Sequence, residues 1–150
     1  RLPGWLEGAA GREVRFASTN FLDEAPQESL HTVTVEGVAI TASTPERAAL
    51  EMLYLVPGQF GFGEAMEIVG GLASLRVDLM QALLEGCSSV KVKRLFLYCA
   101  RESGHSWYSA LDRGRIDLGV GKRELVKGGK LDKEFLLTVE ASPYTTEIRF

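Results

Sequence analysis

The sequence predicts an α+β domain in which a mixed or antiparallel sheet, built from strands at both ends of the chain, packs on a helical middle segment. Three observations support this prediction. Polar and apolar residues alternate in stretches of the first 43 residues, which is typical of half-buried strands. Apolar residues then recur at helical spacing, and strand patterns return after residue 121. With 150 residues, the chain has the usual length of a single domain, 1–150.

The first strands are predicted from alternation and from β-branched residues. Glu13–Ser18 alternates polar and apolar side chains, while His31–Val35 and Val38–Ser43 are rich in valine, isoleucine and threonine. The last two stretches are joined by Glu36-Gly37, and the glycine of this two-residue link can adopt positive φ. We therefore predict a β-hairpin over residues 31–43.

The helical segment is predicted to begin at Ser43-Thr44-Pro45-Glu46. A hydroxyl that can cap, a proline in the first turn and an early glutamate, at the second or third helical position, together favour helix initiation. Ala48–Val56 is apolar on nearly all sides, so this helix is expected at the centre of the core, and Pro57-Gly58 is expected to end it. A short helix is predicted around Glu64–Val69.

Two further helices are predicted from apolar spacing. In the first, Gly86 is a candidate end cap after Leu75, Leu79, Met80, Leu83 and Leu84. Ser88 or Ser89 can begin the second, and Gly104 can close it. One side of this helix carries Val92, Leu95, Phe96 and Cys99, and another carries Lys91, Arg94 and Arg101. The sequence SWYSALD, residues 106–112, is expected to add one helical turn.

The last third of the chain is predicted to form a second hairpin. Its strands are Lys122–Lys127 and Phe135–Val139, with a turn at Gly128-Gly129. Gly119 and Gly121, just before the first of these strands, suit a bulge or a tight bend.

Composition indicates an ordinary globular protein, with 45% hydrophobic and 25% charged residues. No apolar run approaches the roughly 20 residues that cross a bilayer, so we expect no membrane segment. The chain begins with Arg1 and lacks a secretory signal pattern, and we expect a piece of a longer cytoplasmic protein. Cys87 and Cys99 are predicted to be buried free thiols.

The usual catalytic and metal-binding patterns are missing from the sequence. His31 and His105 have no companion at metal-ligand spacing, and each is expected to be structural or exposed. For His105, capping of the preceding carbonyls is an alternative. The glycine-rich stretches at 58–63 and 118–125 fit neither a phosphate-binding P-loop nor a dinucleotide fingerprint. We predict a non-enzymatic protein without cofactor or metal.

A restriction-type nuclease site would use Asp117, Glu124 and Lys127. Asp117 precedes Glu124, and Lys127 follows three residues later. A restriction-type site needs the glutamate and lysine two residues apart on a strand, so that both side chains share one face. Here the spacing is off by one, and alternation places the two on opposite faces.

Charge is unevenly distributed along the chain. The first 90 residues contain five arginines and twelve acidic residues, for a net charge of −7, whereas residues 91–150 contain twelve basic and eight acidic residues, for +4. Such asymmetry favours an anionic partner for the basic part, although an ordinary solvated surface is an alternative. The candidate DNA-binding residues are Lys91, Lys93, Arg94, Lys122, Arg123, Lys127, Lys130 and Lys133. Trp107 and Tyr108 could stack on bases, but a core position is the alternative.

Three stretches together resemble the AbiEi family of bacterial antitoxins and transcriptional regulators of type IV toxin-antitoxin systems. They are ASTPERAALEMLYLVP at 42–57, SSVKVKRLFLYCARESGHSWYSALD at 88–112 and RIDLGVGKRELVKGGKLDKEFLLTV at 115–139. The resemblance is to the C-terminal domain of the family, and we expect the family's N-terminal winged-helix domain to be absent from this chain.

The resemblance implies an autoregulator that binds promoter or operator DNA in the full-length protein, with a possible homo-oligomer on that DNA. It also implies antagonism of a nucleotidyltransferase-type toxin without a stable complex. Two alternatives from other classes stay open. One is a nuclease-like or nucleotide-processing defence enzyme, and the other is a protein-interaction domain that docks through its acidic front half.

Overall fold

Four helices occupy the middle of the structure, a computed structural model that describes residues 16–141. They are α1 (Pro45–Tyr54), α2 (Phe62–Gly70), α3 (Val77–Gly86) and α4 (Val90–Ser103). The strands are β1 (Leu30–Val35) and β2 (Val38–Ser43) before the helices, and β3 (Arg123–Glu124), β4 (Lys130–Asp132) and β5 (Leu137–Val139) after them. Short 3-10 turns cover Gln27–Ser29, Ser106–Ala110 and Arg113–Arg115. The predicted α+β class, with strands from both ends of the chain, is confirmed.

The strands form two small sheets within the described residues, one antiparallel and one mixed. The antiparallel sheet is the predicted hairpin of β1 and β2, with Val35 opposite Val38. Glu36 and Gly37 have φ of 49° and 79°, the two positive values that a type I′ turn requires. Of the strand predicted at Glu13–Ser18, residues 13–15 lie outside the described residues and 16–18 adopt no strand.

Helices α1 and α4 lie at the centre of the core, as their apolar patterns predict. Leu50 and Leu53 of α1 are fully buried. In α4, the whole predicted apolar side is buried, namely Val92, Leu95, Phe96 and Cys99. This burial removes apolar surface from water, which is the main favourable contribution to folding.

The helix ends follow the predicted signals, with two exceptions. The first is the predicted hydroxyl cap of α1, because Thr44 is the N-cap residue but its side chain makes no capping hydrogen bond, and the Ser43 hydroxyl binds Glu51 instead. Pro45 occupies the first position of α1, Ser89 Oγ accepts a hydrogen bond from the Val92 N–H at 3.3 Å, and Gly104 closes α4 with φ of 67°. Gly86 is the last residue of α3 but does not form a left-handed cap, which corrects the prediction. Its need for a small residue comes from packing, because a Cβ there would lie 3.0 Å from the Glu24 carbonyl oxygen.

The predicted C-terminal hairpin is wrong in its pairing. Lys122–Lys127 does not pair antiparallel with Phe135–Val139; β3 runs parallel to β5, and β4 is the antiparallel partner of β5, giving the order β3-β5-β4. The chain turns at Gly128, where φ is 71°, and Gly129 approaches the Val139 carbonyl so closely that a Cβ would collide with it. This close approach brings residues 130–132 alongside β5.

None of the helices within residues 16–141 has both the length and the apolar composition required to cross a bilayer.

Candidate functional site

Five of the eight predicted DNA-binding residues are exposed on one stretch, residues 122–133, which we call the basic segment. They are Lys122, Arg123, Lys127, Lys130 and Lys133. The three-stranded sheet places them in two groups, one at each end of β5. Strand pairing, rather than sequence order, therefore decides which of these five residues lie near one another.

The first group lies where β5 begins. Arg123 is opposite Leu137, and its N–H donates to the Leu136 carbonyl at 2.8 Å. Lys122 precedes Arg123 directly, and Lys133 lies in the turn that joins β4 to β5. Since neighbouring strands are about 4.8 Å apart, β3 and β4 lie roughly 10 Å apart across β5.

The second group lies where β5 ends. Lys130 is opposite Val139, and Lys127 belongs to the turn that leads into β4. The N–H of Gly129 closes this turn on the Val126 carbonyl at 3.3 Å. Two exposed ammonium groups thus flank a glycine pair.

Arg94, predicted to contact DNA, is instead buried, with 2% of its surface exposed. Its Nε donates to the Leu118 carbonyl at 2.9 Å, and its Nη1 donates to the carbonyls of Gly121 at 2.6 Å and Leu136 at 3.3 Å. Burial, and to a lesser degree the charge of Arg123, lowers the pKa of Arg94. This side chain holds loops together, which corrects the prediction that it lies on the surface.

Lys91 and Lys93 also differ from the predicted surface cluster. Lys93 is 5% exposed. Lys91 Nζ donates to the carbonyls of Tyr54 at 2.6 Å and Val56 at 2.7 Å, and it lies 5.3 Å from the centre of the Tyr54 ring. Burial lowers the pKa of Lys91. The long stems of lysine and arginine can cross apolar surface to reach carbonyls, which helical periodicity does not show.

A second arginine of α4 secures the turn between β4 and β5. Arg101 donates from Nη2 to Asp132 Oδ2 at 2.6 Å and from Nη1 to Glu134 Oε2 at 2.6 Å, and it lies 5.1 Å from the centre of the Phe135 ring. Asp132 Oδ1 also accepts from the Phe135 N–H at 2.9 Å. Burial alone would raise the pKa of Asp132, but these hydrogen bonds, chiefly from Arg101, lower it. The turn that carries Lys133 therefore has a fixed shape.

Arg101 also borders an open cleft of about 380 Å³ beside β4. Three positively charged residues line the cleft, Arg101, Lys130 and Lys133. Two negatively charged residues, Glu102 and Asp132, also line it. Because Arg101 is already bound by carboxylates, the cleft offers only its two lysines to an anion.

The aromatic residues beside α4 belong to the core. Trp107 is 7% exposed, its Nε1 donates to the Leu72 carbonyl at 2.8 Å, and its ring stacks on Phe96 and His105. Base stacking by Trp107 is therefore excluded in this fold. His105 Nε2 lies 2.9 Å from the Val69 carbonyl in the last turn of α2, so this histidine caps a neighbouring helix rather than its own.

Both cysteines are buried thiols, as predicted. Burial raises the pKa of Cys87, and it raises the pKa of Cys99 to about 12. Reactivity of a cysteine depends on its thiolate, so neither residue resembles an activated nucleophile.

The three residues of the nuclease pattern lie on different structural elements. Asp117 Oδ1 accepts from the Gly119 N–H at 2.8 Å, Glu124 is exposed on β3, and Lys127 lies beyond that strand in a turn. Among the residues that the structure describes, no three histidine, cysteine, aspartate or glutamate side chains are grouped closely enough to hold a metal ion.

Comparison with protein families shows what the chain is similar to. A family model described as "Transcriptional regulator, AbiEi antitoxin, Type IV TA system" matches residues 1–140. Neither a curated protein nor a solved structure matches the chain at a significant level.

Proposed function

Because the chain belongs to the AbiEi family of antitoxins and transcriptional regulators of type IV toxin-antitoxin systems, we propose that its basic segment contacts the phosphate backbone of promoter DNA. The observation that carries the proposal is the placement of Lys122, Arg123 and Lys133 at one end of the C-terminal sheet. All three are exposed, and the strands and turns that carry them are fixed by Arg94 and Arg101.

Phosphate is the chemical group that suits these side chains. Lysine and arginine at fixed positions neutralise phosphates and release counterions, which supplies the sequence-independent part of DNA affinity. Contacts of this kind set the orientation of a protein on the duplex, whereas base edges carry the sequence information. We assign base recognition to a winged helix of the full-length protein and orientation to this domain.

The wider role follows from the family. We propose a non-enzymatic autoregulator that represses its own operon in the cytoplasm, forms oligomer contacts on the operator, and antagonises a nucleotidyltransferase-type toxin without a stable complex. Membership of a family of regulatory antitoxins supports this role.

A salt titration tests the DNA proposal. Binding of the chain to a fluorescein-labelled, random-sequence DNA duplex is followed by anisotropy over a series of salt concentrations. The variant Lys122→Gln/Arg123→Gln/Lys133→Gln is expected to bind more weakly, with the slope of log K against log salt reduced by about 2.7, since each lost phosphate contact contributes about 0.9.

A matched control removes exposed arginines elsewhere. Arg113 and Arg115 lie on a 3-10 turn, and Arg115 pairs with Glu85 of α3 at 3.1 Å. Arg113→Gln/Arg115→Gln is expected to change the slope by less than one contact. Equal slopes for the triple variant and the unaltered chain would refute the DNA proposal.

A further inference from the structure

The loop before β3 presents an ordered, exposed tip. Gly119 and Gly121 have φ of 62° and 76°, and Val120 between them is 85% exposed. The Asp117 carboxylate accepts from the Gly119 N–H at 2.8 Å. Gly119 also lies against the first turn of α4, because a Cβ there would be 2.9 Å from Val90 Cγ2. The loop therefore has little freedom to move towards the helix.

Arg94 ties both sides of this loop from below. Its guanidinium binds the Leu118 carbonyl before the tip and the Gly121 carbonyl after it. The third acceptor, the Leu136 carbonyl, also accepts from the Arg123 N–H. One side chain thus fixes the loop relative to the start of β5.

Three successive N–H groups of the loop have no acceptor among residues 16–141. Within residues 16–141, no carbonyl or side chain accepts a hydrogen bond from the N–H groups of Val120, Gly121 or Lys122. All three residues are exposed. Successive free N–H groups beside left-handed residues are a known arrangement for anion binding, because they offer several partial positive charges to one anion.

Within the described part of the chain, no carboxylate pairs with the charge of Arg94. Among the described residues its partners are carbonyls, and none of their ion pairs includes it. Burying a charge without an opposite charge is costly, and the three hydrogen bonds to carbonyls offset part of that cost. Beneath an anion site, the positive charge of Arg94 would in addition strengthen binding of the anion.

We propose that the loop Leu118–Arg123 is a phosphate-binding site, formed by the N–H groups of Val120, Gly121 and Lys122 with the side chains of Lys122 and Arg123, and that Arg94 is its positioning residue. The inference deepens the proposed function and rests on it for the source of the phosphate, which is the DNA backbone. The site itself is a property of the folded chain.

Inorganic phosphate is the probe that tests the site without DNA. The ¹⁵N-labelled chain is titrated with sodium phosphate, with sodium chloride at equal ionic strength as the reference. We expect saturable shifts of the Val120, Gly121 and Lys122 amide signals and smaller shifts at Glu36 and Gly37, a turn with no basic neighbour in sequence. Shifts that are equal at both turns would overturn the proposal.

Variants of Arg94 test its positioning role. Arg94→Met is expected to speed amide hydrogen exchange in the loop and to weaken phosphate binding about fivefold, since ordering the loop must then occur on binding. Arg94→Lys keeps the charge but loses the planar donor fork, so it is expected to give an intermediate affinity. It also serves as the decisive variant if Arg94→Met does not fold. Unchanged loop exchange and phosphate affinity in Arg94→Lys, and in any folded Arg94→Met, would overturn the role of Arg94.

The two proposals fail in different ways. If the unaltered chain shows the phosphate shifts while the triple variant binds DNA as strongly as the unaltered chain does, the anion site is supported and DNA is refuted as the source of its phosphate. If the triple variant loses DNA affinity but the loop of the unaltered chain shows no phosphate shifts, the phosphate site is refuted and the proposed DNA-binding surface is supported. Lys127→Gln/Lys130→Gln, which removes two charges at the other end of β5, is the control and should leave the phosphate shifts unchanged.

Discussion

The Glu46 carboxylate binds Arg76 at three points. Oε1 accepts from the Arg76 N–H at 3.0 Å and from its Nε at 3.2 Å, and Oε2 accepts from Nη2 at 3.1 Å. Glu46 is in the first turn of α1 and Arg76 precedes α3, so the pair joins the beginnings of two helices. Burial alone would raise the pKa of Glu46, but the hydrogen bonds from Arg76 outweigh it and lower the pKa to about 2.

Glu46 therefore makes stability depend on pH in the acid range. Its pKa is lower in the folded chain than the ordinary 4.5, so its contribution is complete above pH 4.5 and is lost as pH falls towards 2. Glu46→Gln is expected to lower the free energy of unfolding by about 1–3 kcal/mol at pH 7. Urea denaturation at pH 7 and at decreasing pH measures this. The exposed first-turn residue of α2 provides the control, Glu64→Gln, and a constant difference between Glu46→Gln and the unaltered chain down to pH 2 would contradict the prediction.

Leu53 tests the position of α1 in the core. It is fully buried, and Leu53→Ala is expected to cost about 2–5 kcal/mol through lost burial and the cavity left behind. Val38, which is 49% exposed, provides the comparison, with a change of about 0.5 kcal/mol or less for Val38→Ala. Chemical denaturation of both variants gives the values, and similar losses for the two would mean that α1 is misplaced.

Lys91 is expected to affect stability and not DNA binding. Its ammonium group satisfies the carbonyls of Tyr54 and Val56 where α1 ends, so Lys91→Gln should lower the free energy of unfolding by about 1–3 kcal/mol. Its salt slope for the DNA duplex should equal that of the unaltered chain. Lys127→Gln, an exposed lysine of the basic segment, is expected to show the reverse pattern. A lowered slope for Lys91→Gln would restore this residue to the DNA surface.

The two carboxylates that bind Arg101 are expected to contribute differently to the free energy of unfolding. The Asp132 side chain is 15% exposed and also accepts from the Phe135 N–H, whereas the Glu134 side chain is 48% exposed. Asp132→Asn should therefore cost about 1.5–3 kcal/mol, and Glu134→Gln less than about 1 kcal/mol. Thermal or urea denaturation compares them. Equal losses would contradict the prediction, because they would show that the exposed ion pair stabilises the turn as much as the hydrogen bonds of Asp132 do.

Local signals in the sequence predicted most of the helices and the first hairpin. Pro45 and Glu46 in the first turn of α1, the Ser89 cap and Gly104 each act within a few residues of the element that they define. Glu36-Gly37 likewise determines a turn whose strands are its immediate neighbours. Such features depend on nearby backbone geometry, so they are visible without the fold.

The pairing of the C-terminal strands could not be predicted in the same way. β3 has two residues, while β4 and β5 have three each, which is too short for alternation to identify a partner. The order β3-β5-β4 depends on the close approach of Gly129 to Val139, a contact between residues ten positions apart.

The candidate site likewise combines features that the sequence predicts with features that depend on the fold. The sequence by itself determined that residues 122–133 contain five cationic side chains, and all five are exposed in the structure. Only the tertiary structure decided that Arg94 lies beneath the loop, because its acceptors are 24, 27 and 42 residues away. Periodicity records which side of a helix a residue occupies, but a long cationic side chain can either extend into water or cross to a distant carbonyl. That choice depends on which backbone groups the packed chain leaves without another donor.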